Sequence, residues 1–317
     1  MSDETKKQII VILGPTACGK TALSIAIAQR FNCEIISADS MQVYQGMDIG
    51  SAKIKAEEQN GIPHHLIDII PPQQPFSVAD FHSLADQAIE DIIARGKMPL
   101  VCGGTGLYIN SLVMPYNFAS STDADPQIRA RLRQEFAEHG GEEMYQRLQQ
   151  IDPQYANKIH HHDSRRLIRA LEIYEASGQR PSDLQAANQP VKYRPVMIGL
   201  TADRARIYQL IEQRVDLMLD AGLIDEVKRL LDAGISTDAV SMQGLGYKQI
   251  AAYLAGEMDF AEAVATLKRD TRRFAKRQIT WFKRDPRICW FDIDQYLEEG
   301  ELVNAVSFRI AQMLEEA

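Results

Sequence analysis

Residues Gly14, Pro15, Thr16, Ala17, Cys18, Gly19, Lys20 and Thr21 match the pattern G-x-x-x-x-G-K-[ST] at every fixed position, directly after the apolar run Ile9 to Leu13. In such a loop the backbone N–H groups curl around phosphate oxygens, and the helix that follows contributes its positive end. Lys20 adds a point charge, and the Thr21 hydroxyl is suited to ligating Mg²⁺. A nucleoside triphosphate is the default ligand, and a Gly-rich turn without a ligand is the bland alternative. The other parts of a nucleotide hydrolase are missing. No apolar strand ends in a Walker B aspartate; the run Pro99 to Cys102 ends in Gly103-Gly104-Thr105-Gly106, and no guanine-reading motif is present.

Asp39 closes a second apolar run, Glu34 to Ser37, and is followed by SMQVYQGMDIGSAK. An Asp-Ser pair can simply cap a helix, but a position beside the phosphate loop favours a catalytic role. A third feature is electrostatic. The chain carries a net charge of −8, yet residues 268–287, KRDTRRFAKRQITWFKRDPR, hold nine Lys or Arg and two Asp. One basic segment on an acidic protein suits a polyanion docking at one place. On a helix Lys268, Arg272 and Lys276 form one row and Arg269, Arg273 and Arg277 the next, with Phe274, Trp281 and Phe282 interleaved. A solvated basic face over a core stripe is the competing reading; the charge density favours phosphate contact.

The elements that must position these residues alternate strand and helix in the first third. Strands are expected at 8–13, Glu34 to Ser37, His65 to Ile70 and Pro99 to Cys102. Helices are expected at Lys20 to Arg30 and Phe81 to Ala94. This order implies an α/β fold, a parallel sheet with helices on both faces, whose ligands lie beyond the carboxyl ends of the strands. From Pro115 the strand signal stops. Asp125 is the expected N-cap of a helix opening at Pro126, and helices continue to about Gly178. Residues 193–200 return as a strand, and helices follow at 203–220, 222–233, 247–255, 260–283 and 301–316. The expected division is a catalytic core at 1–114 and 193–317, with a helical insertion at 115–192.

Cys18, Cys33, Cys102 and Cys289 lack C-x-x-C spacing, which argues against zinc and against a disulfide scaffold. Cys18 reads as a small filler of the loop. His160, His161 and His162 cannot all face one ion from a helix, so a polar loop is the preferred reading. The start MSDETKKQ has no apolar core, and no run approaches about 18 apolar residues, so a soluble, cytoplasmic protein is expected.

In order and at matching intervals, GPTACGKT, ISADSMQVYQGMDIGSAK, GGTGLYI, RRLIRALE, QGLGYKQ and KRQITWFKRD resemble the tRNA dimethylallyltransferases, the bacterial tRNA isopentenyltransferases, essentially end to end. The resemblance implies a P-loop NTPase-like core with basic C-terminal helices. It also implies transfer of a dimethylallyl group from dimethylallyl diphosphate to the exocyclic amine of the adenosine 3′ of the tRNA anticodon. The phosphates of the loop then belong to a prenyl donor. By resemblance, residues 14–21 hold the diphosphate, Lys20, Asp39 and Thr105 are catalytic, and Thr21 holds Mg²⁺. The implied tRNA contacts are Asp39, Ser40, Met41, Gln42 and Thr105, then Arg129, Arg165, Arg166, Leu167, Ile168 and Arg169. Gln243, Gly244, Leu245, Gly246, Tyr247 and Lys248 follow, and then Lys276, Arg277, Gln278, Ile279, Thr280, Trp281, Phe282 and Lys283. Without the resemblance, Arg129 and 165–169 read as ordinary helix surface. The implied partners are the anticodon stem-loop of tRNA and dimethylallyl diphosphate, with no membrane and a monomeric enzyme. A small-molecule kinase and a non-catalytic RNA-binding protein remain as alternatives. The kinase gives the basic segment no task, and the RNA-binding protein gives Lys20, Thr21 and Asp39 none. A free-nucleotide prenyltransferase is disfavoured by the insertion and the basic segment.

Overall fold

Ile9, Ile10, Val11, Ile12 and Leu13 are all fully buried. A β-branched run without polar alternation is what a strand covered on both faces requires. In the computed structural model, which describes residues 6–115, 126–186 and 190–316, this run is the centre of a six-stranded sheet. The strands are β1 (Lys7–Leu13), β2 (Cys33–Ser37), β3 (His64–His65), β4 (Met98–Gly103), β5 (Tyr193–Thr201) and β6 (Cys289–Asp292). Their order is β3-β2-β4-β1-β5-β6, with every pairing parallel. The register aligns Ile35, Leu100, Ile10 and Val196 on one face, and Ile36, Val101, Val11 and Met197 on the other.

Helix α1 (Lys20–Arg30) follows β1, α2 (Val78–Ala94) precedes β4, and α3 (Gly106–Val113) follows β4. Ser77 starts α2 with a capping box, its hydroxyl accepting the Asp80 N–H while the Asp80 carboxylate accepts the Ser77 N–H. The described residues then form α4 (Pro126–His139), α5 (Glu142–Ile151), α6 (Pro153–Ala156), α7 (Ser164–Ser177) and α8 (Pro181–Ala186). After β5 come α9 (Arg204–Asp220), α10 (Leu223–Asp232), α11 (Tyr247–Leu254) and α12 (Phe260–Phe282), and after β6 comes α13 (Glu299–Glu315).

The chain forms two compact units, Met1–Val113 with Lys192–Ala317, and Met114–Val191. The second is helical, with its own core of Leu132, Met144, Leu148, Ala156, Leu167, Ala170 and Leu171. Two buried carboxylates organise it. Asp152 accepts the N–H groups of Tyr155 at 2.9 Å and Ser182 at 2.8 Å, while the fully buried Glu172 accepts from Arg129 at 2.9 Å and Arg169 at 2.8 Å. The expected N-cap, Asp125, lies outside the described residues.

Two expectations are corrected. The strand expected from His65 to Ile70 is only His64–His65, followed by a single bridge from Tyr44 to Ile70. Leu66 and Asp68 have φ of 62° and 56°, a left-handed backbone that a pleated strand cannot continue. The C-terminal third, expected to be mostly helical after residue 200, also contains a strand not expected from the sequence, β6, a four-residue edge strand paired with β5.

Glu34 in β2 is buried and meets Arg95 Nη2 at 2.6 Å, His65 Nε2 at 2.7 Å and Lys97 Nζ at 3.1 Å. Burial alone raises its pKa; the hydrogen bonds from Arg95, His65 and Lys97 outweigh that and hold it at about 2. A carboxyl depressed on folding contributes stability that is complete above its ordinary value of 4.5 and is lost as pH falls toward about 2. Glu34→Gln should therefore lower the neutral-pH Tm by roughly 2–5 °C. It should also remove part of the fall in Tm that the unsubstituted protein shows in that acid window. Thermal melts across the window test this; parallel curves for the two proteins would assign the acid sensitivity to other groups.

Candidate active site

The loop between β1 and α1 is shaped by left-handed backbone at Gly14 (φ 147°), Ala17 (φ 68°) and Gly19 (φ 75°). Gly14 is constrained twice, because a Cβ there would lie 2.6 Å from the Leu200 carbonyl oxygen. Gly19 caps α1 without any side-chain hydrogen bond, so the first-turn N–H groups of the helix are available to an anion. Lys20 Nζ donates to the Pro15 carbonyl at 2.7 Å, which folds the ammonium back over the loop. Burial pushes the Lys20 pKa below the ordinary lysine value and Arg214 adds to the push, while Cys102, Cys18 and Asp39 oppose it. An anion bound in the loop would push that pKa back up. Cys18 is 1% exposed and burial raises its thiol to about 11, so it fills space as expected and is not a reactive thiolate.

The Asp39 turn and the Gly103–Gly106 loop leave neighbouring strands and are tied together. Ala38 N–H donates to Cys102 O at 2.8 Å, Thr105 N–H to Ala38 O at 3.1 Å, and Ser40 N–H to Thr105 Oγ1 at 3.1 Å. Asp39 Oδ1 accepts the Met41 N–H at 2.9 Å, which orients the carboxylate, and Oδ2 has no hydrogen-bond partner among the described residues. Gln42 is engaged internally: Oε1 accepts from Ser37 Oγ at 2.8 Å, and Nε2 lies 3.4 Å from the Ser51 and Ala52 carbonyls. Thr21 is exposed, and its hydroxyl has no partner among the described residues. One free hard oxygen beside a phosphate cradle fits a Mg²⁺ that shares its other ligands with phosphate and water.

Arg214 on α9 belongs to no motif of the sequence. Burial lowers its pKa, Asp39 is the charge that opposes this, and no described carboxylate pairs with it. Its placement is legible in retrospect. It sits i+7 from Ile207 and i+3 from Ile211, both buried, so the helix period puts a cation on the inward stripe.

The basic helix divides into two halves. Lys268 pairs with Asp216 and Arg272 with Glu212, each at 2.6 Å, and Arg269 and Arg273 share Asp270. Lys276, Arg277 and Lys283 are exposed without an ion pair among the described residues. The row Lys268–Arg272–Lys276 is therefore not a uniform polyanion face; its first two members join α12 to α9. Thr280 is exposed, Ile279 is half-buried, and Trp281 packs where a Cβ on Gly106 would lie 2.4 Å from its ring.

The residues expected to touch RNA differ in exposure. Leu167, Gly246, Tyr247, Gln278 and Phe282 are buried, and their side chains, where they have one, face their neighbours. Tyr247 donates its hydroxyl to Glu226 at 2.7 Å, and Glu226 also accepts the N–H groups of Asp48, Ile49 and Gly50. Gly244 lies against Met41, Leu245 is half-buried, and Gln243 and Lys248 are exposed. In the helical unit Arg165 and Arg166 are exposed and Ile168 is half-buried, whereas Arg129 and Arg169 are tied to Glu172. His160, His161 and His162 occupy a turn, and one ring nitrogen of each lies within 4.8 Å of the others.

The chain is similar to known proteins of one family along most of its length. A family model described as IPP transferase matches residues 42–285, and one described as isopentenyl transferase matches residues 7–70. The chain is 52% identical over 288 residues to a tRNA dimethylallyltransferase of Carboxydothermus hydrogenoformans, covering 90% of this chain and 92% of the relative. The crystal structure of a full-length tRNA isopentenylpyrophosphate transferase from Bacillus halodurans has a TM-score of 0.74 and 46% identity, covering 98% of each chain. A eukaryotic dimethylallyltransferase captured acting on tRNA has a TM-score of 0.78 and 31% identity, covering 90% of this chain and 74% of that one.

If the loop, Lys20 and Arg214 form one anion site, Arg214→Gln should weaken binding of inorganic diphosphate by roughly tenfold or more, and Arg214→Lys by less. Calorimetric titration in Mg²⁺ measures both. Unchanged affinity in Arg214→Gln would remove this cation from the site.

Proposed function

The chain belongs to the IPP transferase family, and from that premise we infer that it is a tRNA dimethylallyltransferase, moving a dimethylallyl group from dimethylallyl diphosphate to the exocyclic amine of an adenosine in tRNA. The observation that carries this reading is a phosphate cradle after β1 and a proton acceptor, Asp39, on the turn after β2, with the loop of the intervening β4 tied to that turn through Thr105. We assign the acceptor base to the position 3′ of the anticodon, the docking element to the anticodon stem-loop, and the protein to the cytoplasm as a monomer. Among the described residues no helix is long and apolar enough to cross a membrane.

In the reaction the allylic C–O bond breaks, diphosphate leaves, a C–N bond forms and the amine loses a proton. Negative charge grows on the leaving diphosphate, which Lys20 and the open first-turn N–H groups of α1 would stabilise. The Thr21 hydroxyl would help to hold a Mg²⁺, which would supply further charge stabilisation to the diphosphate. Asp39 Oδ2 accepts a hydrogen bond from the amine and then its proton. Since an exocyclic amine is a weak nucleophile, its orientation matters as much as the base. Thr105 holds the Asp39 turn through Ser40, and we assign its hydroxyl to the reacting end of the donor. The base must leave its stack to reach these loops, as in other base-modifying enzymes. A kinase reading lacks support at the same place, because β4, beside β1, ends at Gly103 and supplies no carboxylate to organise an attacking hydroxyl.

Purified protein with Mg²⁺, dimethylallyl diphosphate and unmodified tRNA should release diphosphate and prenylate the tRNA without ATP. Asp39→Asn should cut the single-turnover rate by a factor of about 10²–10⁴ with a smaller change in tRNA affinity. ATP cleavage stimulated by a small metabolite, with no prenyl group on the tRNA, would support the kinase instead.

The exposed half of α12 gives a second test. Neutralising Lys276, Arg277 and Lys283 together should weaken tRNA binding and reduce the slope of log K against log salt by about 1 for each RNA phosphate that no longer meets a cation. Donor affinity should be retained. An unaltered slope in filter-binding titrations would mean that this face meets solvent only.

A further inference from the structure

Gln278, on α12, is 6% exposed and touches two loops that are distant in the chain. Its Oε1 accepts the Thr16 N–H at 2.9 Å, across 262 residues, and its Nε2 donates to the Gly104 carbonyl at 2.9 Å, across 174. The partners dictate the orientation of the amide: an N–H requires the oxygen, and a carbonyl requires the nitrogen. Gly104 has no room for a side chain, since a Cβ would lie 2.3 Å from Nε2. One turn further along α12, Trp281 occupies the space in front of Gly106. Helix α12 thus grips the β4–α3 loop at two points and the phosphate loop at Thr16. Through the Thr105 Oγ1 bond to Ser40 N–H, the grip extends to the Asp39 turn.

We propose that Gln278 is a positioning residue that sets the spacing between the phosphate loop and the Thr105 loop, and so the alignment of leaving group and attacking amine. The proposal rests on the reading of residues 14–21 as the prenyl-donor site. A single amide with one donor and one acceptor joins the two loops with a defined separation, which an apolar contact would not do. Alignment is where such a brace acts, because displacement of reacting groups by about 1 Å can cost on the order of 10²-fold in rate. Gln278 shares its turn of α12 with the exposed Lys276 and Arg277, so the helix offered to RNA phosphates is also the helix that spaces the loops.

The test uses the full chain with Gln278→Ala, Gln278→Glu, Gly104→Ala and the Gly104→Ala/Gln278→Ala double variant. The measurements are kcat at saturating substrates, tRNA Kd, donor affinity and Tm. Gln278→Ala should lower kcat by about 30–100-fold and leave tRNA Kd within about twofold. Gln278→Glu should not rescue kcat, since a carboxylate can accept from Thr16 N–H but cannot donate to Gly104. Gly104→Ala should lower kcat comparably, and the double variant should fall little below either single one, because both remove the same bond. Two results would overturn the brace: weaker tRNA binding with kcat retained at saturation, which makes Gln278 an RNA contact, or a fall in Tm with unchanged kcat per folded molecule, which makes it only a packing residue. The unsubstituted protein's affinity for dimethylallyl diphosphate separates the two layers. No binding there removes the donor-site reading and the brace with it, whereas normal binding with full kcat in the variants removes the brace alone.

Discussion

Strand β4 pairs on one edge with β1 and on the other with β2, and this placement determines what the rest of the protein can do. In a parallel sheet all strands end on the same side, so three adjacent strands deliver three loops side by side. The loop after β1 offers backbone N–H groups and Lys20, the loop after β4 offers Thr105, and the turn after β2 offers Asp39. Their approach is too close for side chains. A Cβ on Gly103 would lie 2.2 Å from the Ala38 carbonyl, so the glycine after Cys102 is a requirement of the packing of loop on turn. The hydrogen bonds among Ala38, Cys102, Thr105 and Ser40 then turn adjacency into a defined geometry.

Charge is handled differently at each level. Glu34 is buried among Arg95, His65 and Lys97, and this pairing anchors β2, the strand that leads into the Asp39 turn. Lys20 and Arg214, by contrast, are largely withdrawn from water without a carboxylate partner among the described residues, which is why burial lowers both pKa values. Withdrawing a cation from water without a carboxylate partner is unfavourable, and an anion bound beside it would offset that cost. That asymmetry distinguishes a charge that holds the fold from one left without a carboxylate partner. Helix α12 shows both kinds along one element: its N-terminal cations are neutralised by Asp216, Glu212 and Asp270, and its C-terminal ones are left to solvent or RNA.

Much of this was legible in the sequence because it is local. The phosphate loop, the alternation of strands and helices, the Asp39 turn and the basic segment each lie within a short window whose periodicity or residue order carries the signal. The strand expected at His65 to Ile70 failed because two left-handed residues leave no mark in an apolar pattern. Strand β6 was hidden because four edge residues are too few to show a period. Tertiary structure alone decided which charges and amides are free. Gln278 and Lys276 are two residues apart on one basic helix, yet one is sealed between two loops and the other faces water. The same division separates Tyr247, bonded to Glu226, from the exposed Lys248 beside it. Periodicity reports which side of an element is buried. What that side meets depends on strand order and on partners up to 262 residues away, and no local window contains them.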